Sequence, residues 1–557
     1  MSGPKRTRSW WGWGYDEDSL SKREIDSLAR MLAGSFQGWS PRRIDPPAPA
    51  DLSLPSSRLH APSSLETIVS SSPRDRASHA YGCSYRDVVR ALRGQIDHPP
   101  DLVARPTSER DVEAILDWCA TDGIAVVPYG GGTSVVGGVE PDVGDAYRGT
   151  VTLDLERLGR VVEVDELSRA ARIQGGALGP SIEEALRPIG MTLRHFPQSF
   201  ECSTLGGWIA TRAAGHFATG PTHIDDLVES LRVVTPVGVL ETRRLPASGA
   251  GPSPDGLFIG SEGILGVITE AWVRVRERPT WRSGGAVKFA SFDSGVAAVK
   301  ALSQSGLEPS NCRLIDPVEA MVSGTGDGRA AILVVGFESA DHPVEPLTDR
   351  ALEIVQDHGG SPSGSWGSRS AQAPGGDGSN TGSDERDEVQ RWKKSFLRAP
   401  YLRDAMVRLG MITETFETAV TWERFGELYD AVVSAVTNGL DEAQVVAGFV
   451  TCRFTHVYPD GPAVYFTVIG PATRGAELEQ WDLIKAAAAD AVLASGGTIT
   501  HHHSVGRDHL PWYDQQRPEL FASSLRAVKD ALDPTGVCNP GVLLPTPTRA
   551  IGSGLQV

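Results

Sequence analysis

The chain of 557 residues is poor in the features that most often mark a cofactor or a compartment. Its six cysteines (Cys83, Cys119, Cys202, Cys312, Cys452, Cys538) stand apart with no CxxC pair. That excludes a cysteine zinc site and a disulfide frame, and predicts reduced interior thiols in a cytoplasmic protein. No apolar run is long enough to span a bilayer, and the N-terminus lacks the apolar core of a secretory signal. Basic residues are outnumbered: 53 Lys and Arg against 70 Asp and Glu leave a formal charge of -17. This argues against nucleic acid as a partner and against adhesion to anionic lipid by bulk charge. The two commonest phosphate loops are missing as well. A Walker A loop needs Gly-Lys-Ser/Thr where this chain has Gly137-Gly138-Val139, and a dinucleotide fingerprint needs a third glycine where Val135 stands.

What the chain does have is glycine in dense, separate stretches. An apolar run over residues 124–127 reads as a buried strand that Pro128 ends. Tyr129 follows, then Gly130, Gly131 and Gly132, which remove every Cβ so that another molecule can approach the backbone. Thr133, Ser134 and Val135 complete a turn whose amides suit a pyrophosphate. A second stretch runs through Gln198, Ser199, Ser203, Thr204 and Gly207 to Thr211, Arg212, Ala213 and Ala214. It has the look of a helix N-terminus, where anions are favoured. The third holds Glu262, Gly263, Leu265, Gly266, Val267 and Ile268. Each alone reads as a tight turn between strands; three in this order need a shared cause.

The content of 40% hydrophobic and 22% charged residues is that of a soluble globular protein, and the length calls for two or more domains. Residues 1–95 read as a helical and loop-rich arm. Its Trp10, Trp11 and Trp13 either pack the arm onto the body or touch a membrane surface. Residues 96–281 alternate strand and helix, and residues 282–495 read as an antiparallel sheet with helices on one face. Within them, residues 359–387 are Gly/Ser-rich and nearly free of aliphatic side chains, which predicts a mobile insert. Residues 451–465 read as two strands joined by a Pro-Asp-Gly turn. Tyr465 on the second would need a positive or hydrogen-bonding neighbour to act as a base, since a phenol has a pKa near 10. His501, His502 and His503 follow a strand-like stretch. In extended chain they would alternate faces, which is poor geometry for zinc, and no metal site is expected.

The three glycine stretches resemble the FAD-contacting segments of the alkyldihydroxyacetonephosphate synthases, read here as a bacterial-type member of the vanillyl-alcohol-oxidase-like FAD family. So do WWGWGYDE at residues 10–17, Tyr401-x-Arg403-Asp404, and Glu414-Thr415-Phe416-Glu417-Thr418 with Trp422 beyond it. The His501-His502-His503-x-Val505-Gly506 motif and the closing Leu532-Asp533-Pro534 with Asn539-x-Gly541 match too.

The resemblance implies an α+β fold: a PCMH-type FAD-binding domain of two subdomains (96–281), an antiparallel-sheet cap (282–495), and a C-terminal segment (496–557) returning to the flavin domain. Residues 128–138 contain no histidine, where the family's histidyl-linked members carry one, so non-covalent FAD is implied. The residues named in the three glycine stretches would bind it. Tyr465 would be the acid/base, His503 would assist with His501 and His502, and Arg403 would hold the substrate phosphate. His195 would help there, though Arg194 replaces a family glycine beside it. The implied reaction exchanges the acyl chain of acyl-dihydroxyacetone phosphate for a long-chain fatty alcohol through flavin N5, without net redox change. A homodimer and peripheral membrane contact are family expectations. The rival on the same scaffold is an FAD-dependent oxidoreductase, such as a 2-hydroxy-acid dehydrogenase.

Overall fold

Glycine and proline bound the first strands and keep them short. In the computed structural model, which describes residues 6–370 and 388–546, β1 (Val69–Ser70), β2 (Leu102–Ala104), β3 (Ala125–Tyr129) and β4 (Thr150–Asp154) form one sheet. Its order is β1-β2-β4-β3, and β2 and β3 both lie parallel to β4. Parallel strands need a crossover, and the helix Glu109–Asp122 supplies it between β2 and β3. A Ser108–Asp111 capping box starts that helix and left-handed Gly123 stops it. Its buried face, Val112, Ile115, Leu116 and Cys119, shares a core with Ile124 and Val126.

Strands β5 to β10 follow: Val161–Asp165, Ala170–Gln174, Met191–Thr192, Val228–Thr235, Gly238–Glu241 and Val267–Arg274. All but β7 form an antiparallel sheet in the order β5-β6-β10-β8-β9, while β7 pairs with β11 (Arg276–Glu277). A second core lies against this sheet, with Trp208 from the helix Leu205–Thr211 fully buried in it.

The cap is one antiparallel sheet of seven strands: β12 (Trp281–Phe289), β13 (Asn311–Ile315), β14 (Ala331–Ser339), β15 (Ser361–Ser370), β16 (Met411–Ala419), β17 (Phe449–Val457) and β18 (Pro462–Pro471). Their order is β15-β12-β14-β13-β17-β18-β16. Period-two alternation sorts the side chains. Ile412, Phe416, Cys452, Phe454, Val464, Phe466 and Val468 enter the largest core, against the helices Phe425–Glu442 and Glu477–Ala494. Burying each large apolar side chain stabilises the fold by about 1.5–3 kcal/mol. The residues between them face the other way and are free to be polar. The fold is thus α+β, a flavin-type domain of two sheets and a helix-backed antiparallel cap.

One expectation meets a different outcome. Residues 361–370, inside the stretch read as mobile, are edge strand β15, paired with β12 from Trp281↔Ser370 to Lys288↔Ser361. A strand edge needs only backbone donors and acceptors, which Gly/Ser composition does not reveal; residues 371–387 lie outside those described. The tryptophan arm packs on the body. Trp13 is 8% exposed, its amide donates to Asp404 at 2.6 Å, and Trp11 lies against the cap core. At the other end, Val126↔Cys538 forms a parallel bridge, so the C-terminal segment extends the first sheet beside β3. All six cysteines are buried and unpaired. No helix among the described residues is long and apolar enough to cross a membrane.

Candidate active site

A cavity of about 350 Å³ lies between the flavin-type domain and the cap. One wall is backbone. Pro128, Tyr129, Gly130, Gly131, Gly132, Thr133, Ser134 and Val135 line it, and among the described residues the amides of residues 131–135 have no hydrogen-bond partner. Five consecutive free N–H groups are a ready cradle for a pyrophosphate. The loop holds its shape through Ser134, whose carbonyl accepts from the Cys83 amide at 2.6 Å and whose Oγ accepts from Gly138 at 2.9 Å. Glycine is required for close packing: a Cβ at Gly130 would sit 2.2 Å from Thr204 Oγ1, and one at Gly131 2.1 Å from the Cys202 carbonyl. This cradle fits the phosphates of FAD.

The second and third stretches border the same cavity through Gln198, Ser199, Ser203, Thr204, Gly207, Thr211, Ala213, Ala214, Glu262, Gly263, Gly266, Val267 and Ile268. The helix N-terminus at Leu205 does not offer free amides, contrary to the sequence reading. Leu205 and Gly206 donate to the Ala177 and Gly175 carbonyls, and Gly207 donates to Thr204 Oγ1. Close packing on β6 consumes those donors. Leu265 is wholly buried in the second core, and Arg212 turns to the surface to pair with Asp225 at 2.7 Å; neither lines the cavity. The Glu262 carboxylate accepts from the Val505 and Gly506 amides, both at 2.8 Å. Burial nonetheless pushes its pKa up to about 7. Glu262 thereby ties the segment after the histidines to the flavin domain. Asn539 reinforces the tie by donating to the Glu262 and Gly138 carbonyls.

The opposite wall is made of side chains on the free face of the cap. Strand register places Arg453, Tyr465 and Glu417 directly across from one another on β17, β18 and β16. The next row is Thr451, Thr467 and Thr415, and beyond it Ile469 stands opposite Thr413. Burial raises the Tyr465 phenol above its usual value. The Arg453 guanidinium, 4.0 Å over the ring, and a hydrogen bond with Thr415 oppose that shift. Arg453 is itself held by Glu319 at 2.5 Å.

Glu417 organises the three histidines. Its carboxylate accepts from the backbone amides of His501, His502 (3.0 Å) and His503 (2.7 Å), and from Thr500 Oγ1 at 2.8 Å. The triplet is therefore a turn wrapped around a buried anion, not the extended chain expected, and the rings do not alternate. Burial alone would raise the Glu417 carboxyl; the adjoining histidines and amides hold it well below its usual range. His502 and His503 line the cavity, with ring centroids 6.1 and 5.7 Å from that of Tyr465. His501 sits behind them. Burial lowers all three imidazoles, His502 to about 3, so they are neutral at physiological pH. Ligand atoms of His456, His501 and His502, and of Glu417, His502 and His503, lie within 4.8 Å of one another, close enough for a metal ion that the sequence did not lead one to expect; of the histidine pairs in the first group only His501 and His502 are hydrogen-bonded.

Arg403 lines the cavity with its guanidinium partly engaged: Nε and Nη2 donate to Asp404, and Nη1 donates to the Cys83 carbonyl at 2.6 Å. Burial would lower its pKa, but Asp404 beside it outweighs that and raises it. His195 is elsewhere. It packs on Trp208 behind the cavity wall, its Nε2 has no partner among the described residues, and burial lowers it to about 3. A neutral ring outside the cavity is poorly placed to hold a phosphate. Sequence reasoning missed Trp13, Arg313, His216 and His456, all in the cavity wall. Burial depresses Arg313 to about 9, with Arg453 adding to the effect. For Arg313 and His456 the only signal was a polar side chain at an alternate position of an otherwise apolar strand; Trp13 and His216 lie outside strands and carried no such signal.

Comparison with known proteins agrees with this geometry. Residues 100–243 match the FAD binding domain family, and residues 278–543 match the family of FAD linked oxidases, C-terminal domain. The chain is 32% identical over 498 residues to the alkyldihydroxyacetonephosphate synthase of Trypanosoma brucei brucei, covering 85% of this chain and 78% of that protein. It is 30% identical to that of Dictyostelium discoideum, covering 85% and 77%. A solved alkyldihydroxyacetonephosphate synthase structure superimposes with a TM-score of 0.78 at 24% identity, over 96% of this chain and 98% of that one. With a cradle of free amides on one wall and a phenol, histidines and arginines on the other, the chain belongs to the alkyldihydroxyacetonephosphate synthase family of FAD-linked oxidases.

Proposed function

We propose that the protein exchanges the acyl chain of acyl-dihydroxyacetone phosphate for a long-chain alcohol, forming the ether-linked product with FAD bound non-covalently. The observation that carries this reading is the Arg453–Tyr465 pair facing the amide cradle across one cavity, with buried Glu417 next in the row. FAD would supply a nucleophilic ring nitrogen that is regenerated, so no electron acceptor is consumed. The residues do the rest. Tyr465, protonated at neutral pH, donates a hydrogen bond to the departing oxygen, which leaves as the carboxylate anion, and then takes the proton of the incoming alcohol as it gives up its own. Neutral His502 and His503 beside it are poised to accept the proton that Tyr465 gives up. Arg403 keeps two of its five N–H groups for a phosphate oxygen, and Arg313 adds positive charge on the cap side. Leu402, Met406 and Ile469 give that end of the wall an apolar surface suited to an alkyl chain.

The test is an anaerobic absorbance spectrum of the FAD-loaded protein. Acyl-dihydroxyacetone phosphate should bleach the flavin, and a fatty alcohol should restore it with ether lipid formed. A flavin indifferent to that substrate but reduced by a 2-hydroxy acid would make the protein a dehydrogenase. Acid precipitation should leave all flavin in the supernatant; flavin in the pellet would overturn non-covalent binding.

A further inference from the structure

The proposed exchange breaks the bond between carbon 1 and the acyl oxygen and forms one to the alkoxy oxygen. The fatty acid leaves as a carboxylate, and the alcohol contributes one proton that neither product keeps at neutral pH. Each turnover must therefore deliver a proton from the reaction cavity to solvent. A line of side chains behind the cavity wall is suited to that task.

Its links are short. His501 Nδ1 lies 3.2 Å from His502 Nδ1, and His501 Nε2 lies 2.8 Å from the Tyr458 hydroxyl. Tyr458 is 3.1 Å from Thr222 Oγ1, which is 3.2 Å from His223 Nδ1. His223 Nε2 is 3.0 Å from the His501 carbonyl. That last contact sets the direction of all the others. A carbonyl can only accept, so His223 carries its proton on Nε2, and in the neutral ring Nδ1 is a lone pair. Thr222 then donates to His223 and accepts from Tyr458. Tyr458 in turn accepts from His501 Nε2–H, and His501 Nδ1 accepts from His502 Nδ1–H. Neutral His502 is left with a lone pair on Nε2, the remaining nitrogen of a ring that lines the cavity.

We infer that His502, His501, Tyr458, Thr222 and His223 form a proton relay from the reaction cavity to the protein surface, with Tyr458 as its middle link. The inference rests on the exchange reading above. A proton taken up at His502 Nε2 releases the one on Nδ1 to His501, and each later group gains one proton and passes one on. His223 holds the last. Tyr458 is half-buried and adjoins the exposed turn at Pro459 and Asp460, and His223 is half-buried beside it, so the outer end reaches solvent. Asp225, Asp226 and Asp460 stand near the Tyr458 hydroxyl at that end. When His223 carries two protons, every hydrogen bond in the line reverses and His502 presents N–H to the cavity. One relay thus serves both directions of proton movement.

Tyr458→Phe removes the oxygen that joins Thr222 to His501 without altering the cavity wall. The variant should keep its full complement of FAD and its flavin spectrum, yet turn over about 100-fold more slowly. Its solvent deuterium isotope effect should be larger, and added imidazole should restore part of the rate. Unchanged turnover and isotope effect would overturn the relay. A second readout needs no substrate. In FAD-loaded protein labelled with ¹⁵N-histidine at neutral pH, His501 should be protonated on Nε2 and His502 on Nδ1, and Tyr458→Phe should abolish that preference. The opposite tautomers, or a pattern insensitive to the substitution, would overturn it. Should the wild-type protein show no acyl-for-alkyl exchange, the proposed reaction fails, while the tautomers still decide the relay.

Discussion

The two walls of the cavity are built from different materials. The flavin-side wall uses main-chain amides brought close by missing Cβ atoms, over residues 130–132 and at Gly263 and Gly266. The cap-side wall uses long side chains brought together by strand register: Arg453 and Tyr465 line the cavity from two strands, buried Glu417 on a third holds the histidine turn beside them, and the three become neighbours only when those strands pair. A backbone wall recognises shape and charge and resists any substitution that adds an atom. A side-chain wall can exchange one function for another while its frame stays intact. The first should therefore govern whether FAD binds, and the second what is done with it.

The sharpest test of that division is Tyr465→Phe. The ring still packs beneath Arg453, while the proton-carrying oxygen is gone. Turnover is expected to fall by about 10²–10⁴-fold, with FAD content and melting temperature within error of the wild type. Loss of flavin in this variant would show that the walls are not separable.

The reverse experiment is Gly131→Ala. Its added Cβ would lie 2.1 Å from the Cys202 carbonyl, a backbone atom that cannot swing away. Overpacking of this kind costs about 3 kcal/mol, which corresponds to roughly 100-fold weaker FAD binding. Flavin absorbance per chain during titration with FAD measures it, and flavin retention at the wild-type level would break the comparison.

The same division explains what could be read before the structure. Close backbone approach demands one residue type, so all three glycine stretches were visible as sequence. The Pro-Asp-Gly hairpin at residues 459–461 was equally local. The side-chain wall was legible only one residue at a time. Tyr465 and the histidines stood out through the family resemblance, but nothing local places Arg453 over the Tyr465 ring, or Glu417 beneath three consecutive amides. His456 and Arg313 read as ordinary strand residues. His223 and Tyr458 lie far apart in sequence and meet only through the fold. His195 errs in the opposite sense: its motif matched, but the chain directs the ring into the packing around Trp208. Strand β15 went unseen because edge pairing makes no demand on side chains.

Glu262 lies on the seam between the walls, and its effect is on stability. Its native carboxyl keeps a proton up to a pH of about 7, against a usual 4.5. In that window the native state binds more protons than the unfolded one, so its contribution to stability falls as pH rises from 4.5 and levels off above 7. The full change is on the order of 3 kcal/mol. Glu262→Gln retains an acceptor oxygen but cannot titrate. Its melting temperature should lose this part of the decline and keep the parts due to Asp316 and Asp508, which burial also raises, each to about 6. Parallel melting curves across the window would show that Glu262 is ionised in the native state throughout.

The smallest expected effect belongs to Arg212, which the sequence motif assigned to FAD. Its side chain is 62% exposed and paired with Asp225, and it borders the outer end of the proton relay, not the cavity. An exposed ion pair contributes at most about 1 kcal/mol, so Arg212→Ala should leave FAD affinity within about twofold of the wild type. Its backbone matters more, because Arg212 adopts a φ of 52° where the helix Leu205–Thr211 ends. Gly is therefore the cleaner replacement, since it relieves that strain while removing the guanidinium. If Arg212→Gly and Arg212→Ala both bind FAD as the wild type does, the motif has kept the residue for its position at the turn. A loss shared by both variants would instead mean that FAD draws the side chain inward on binding, and the backbone wall would then have a charged member after all.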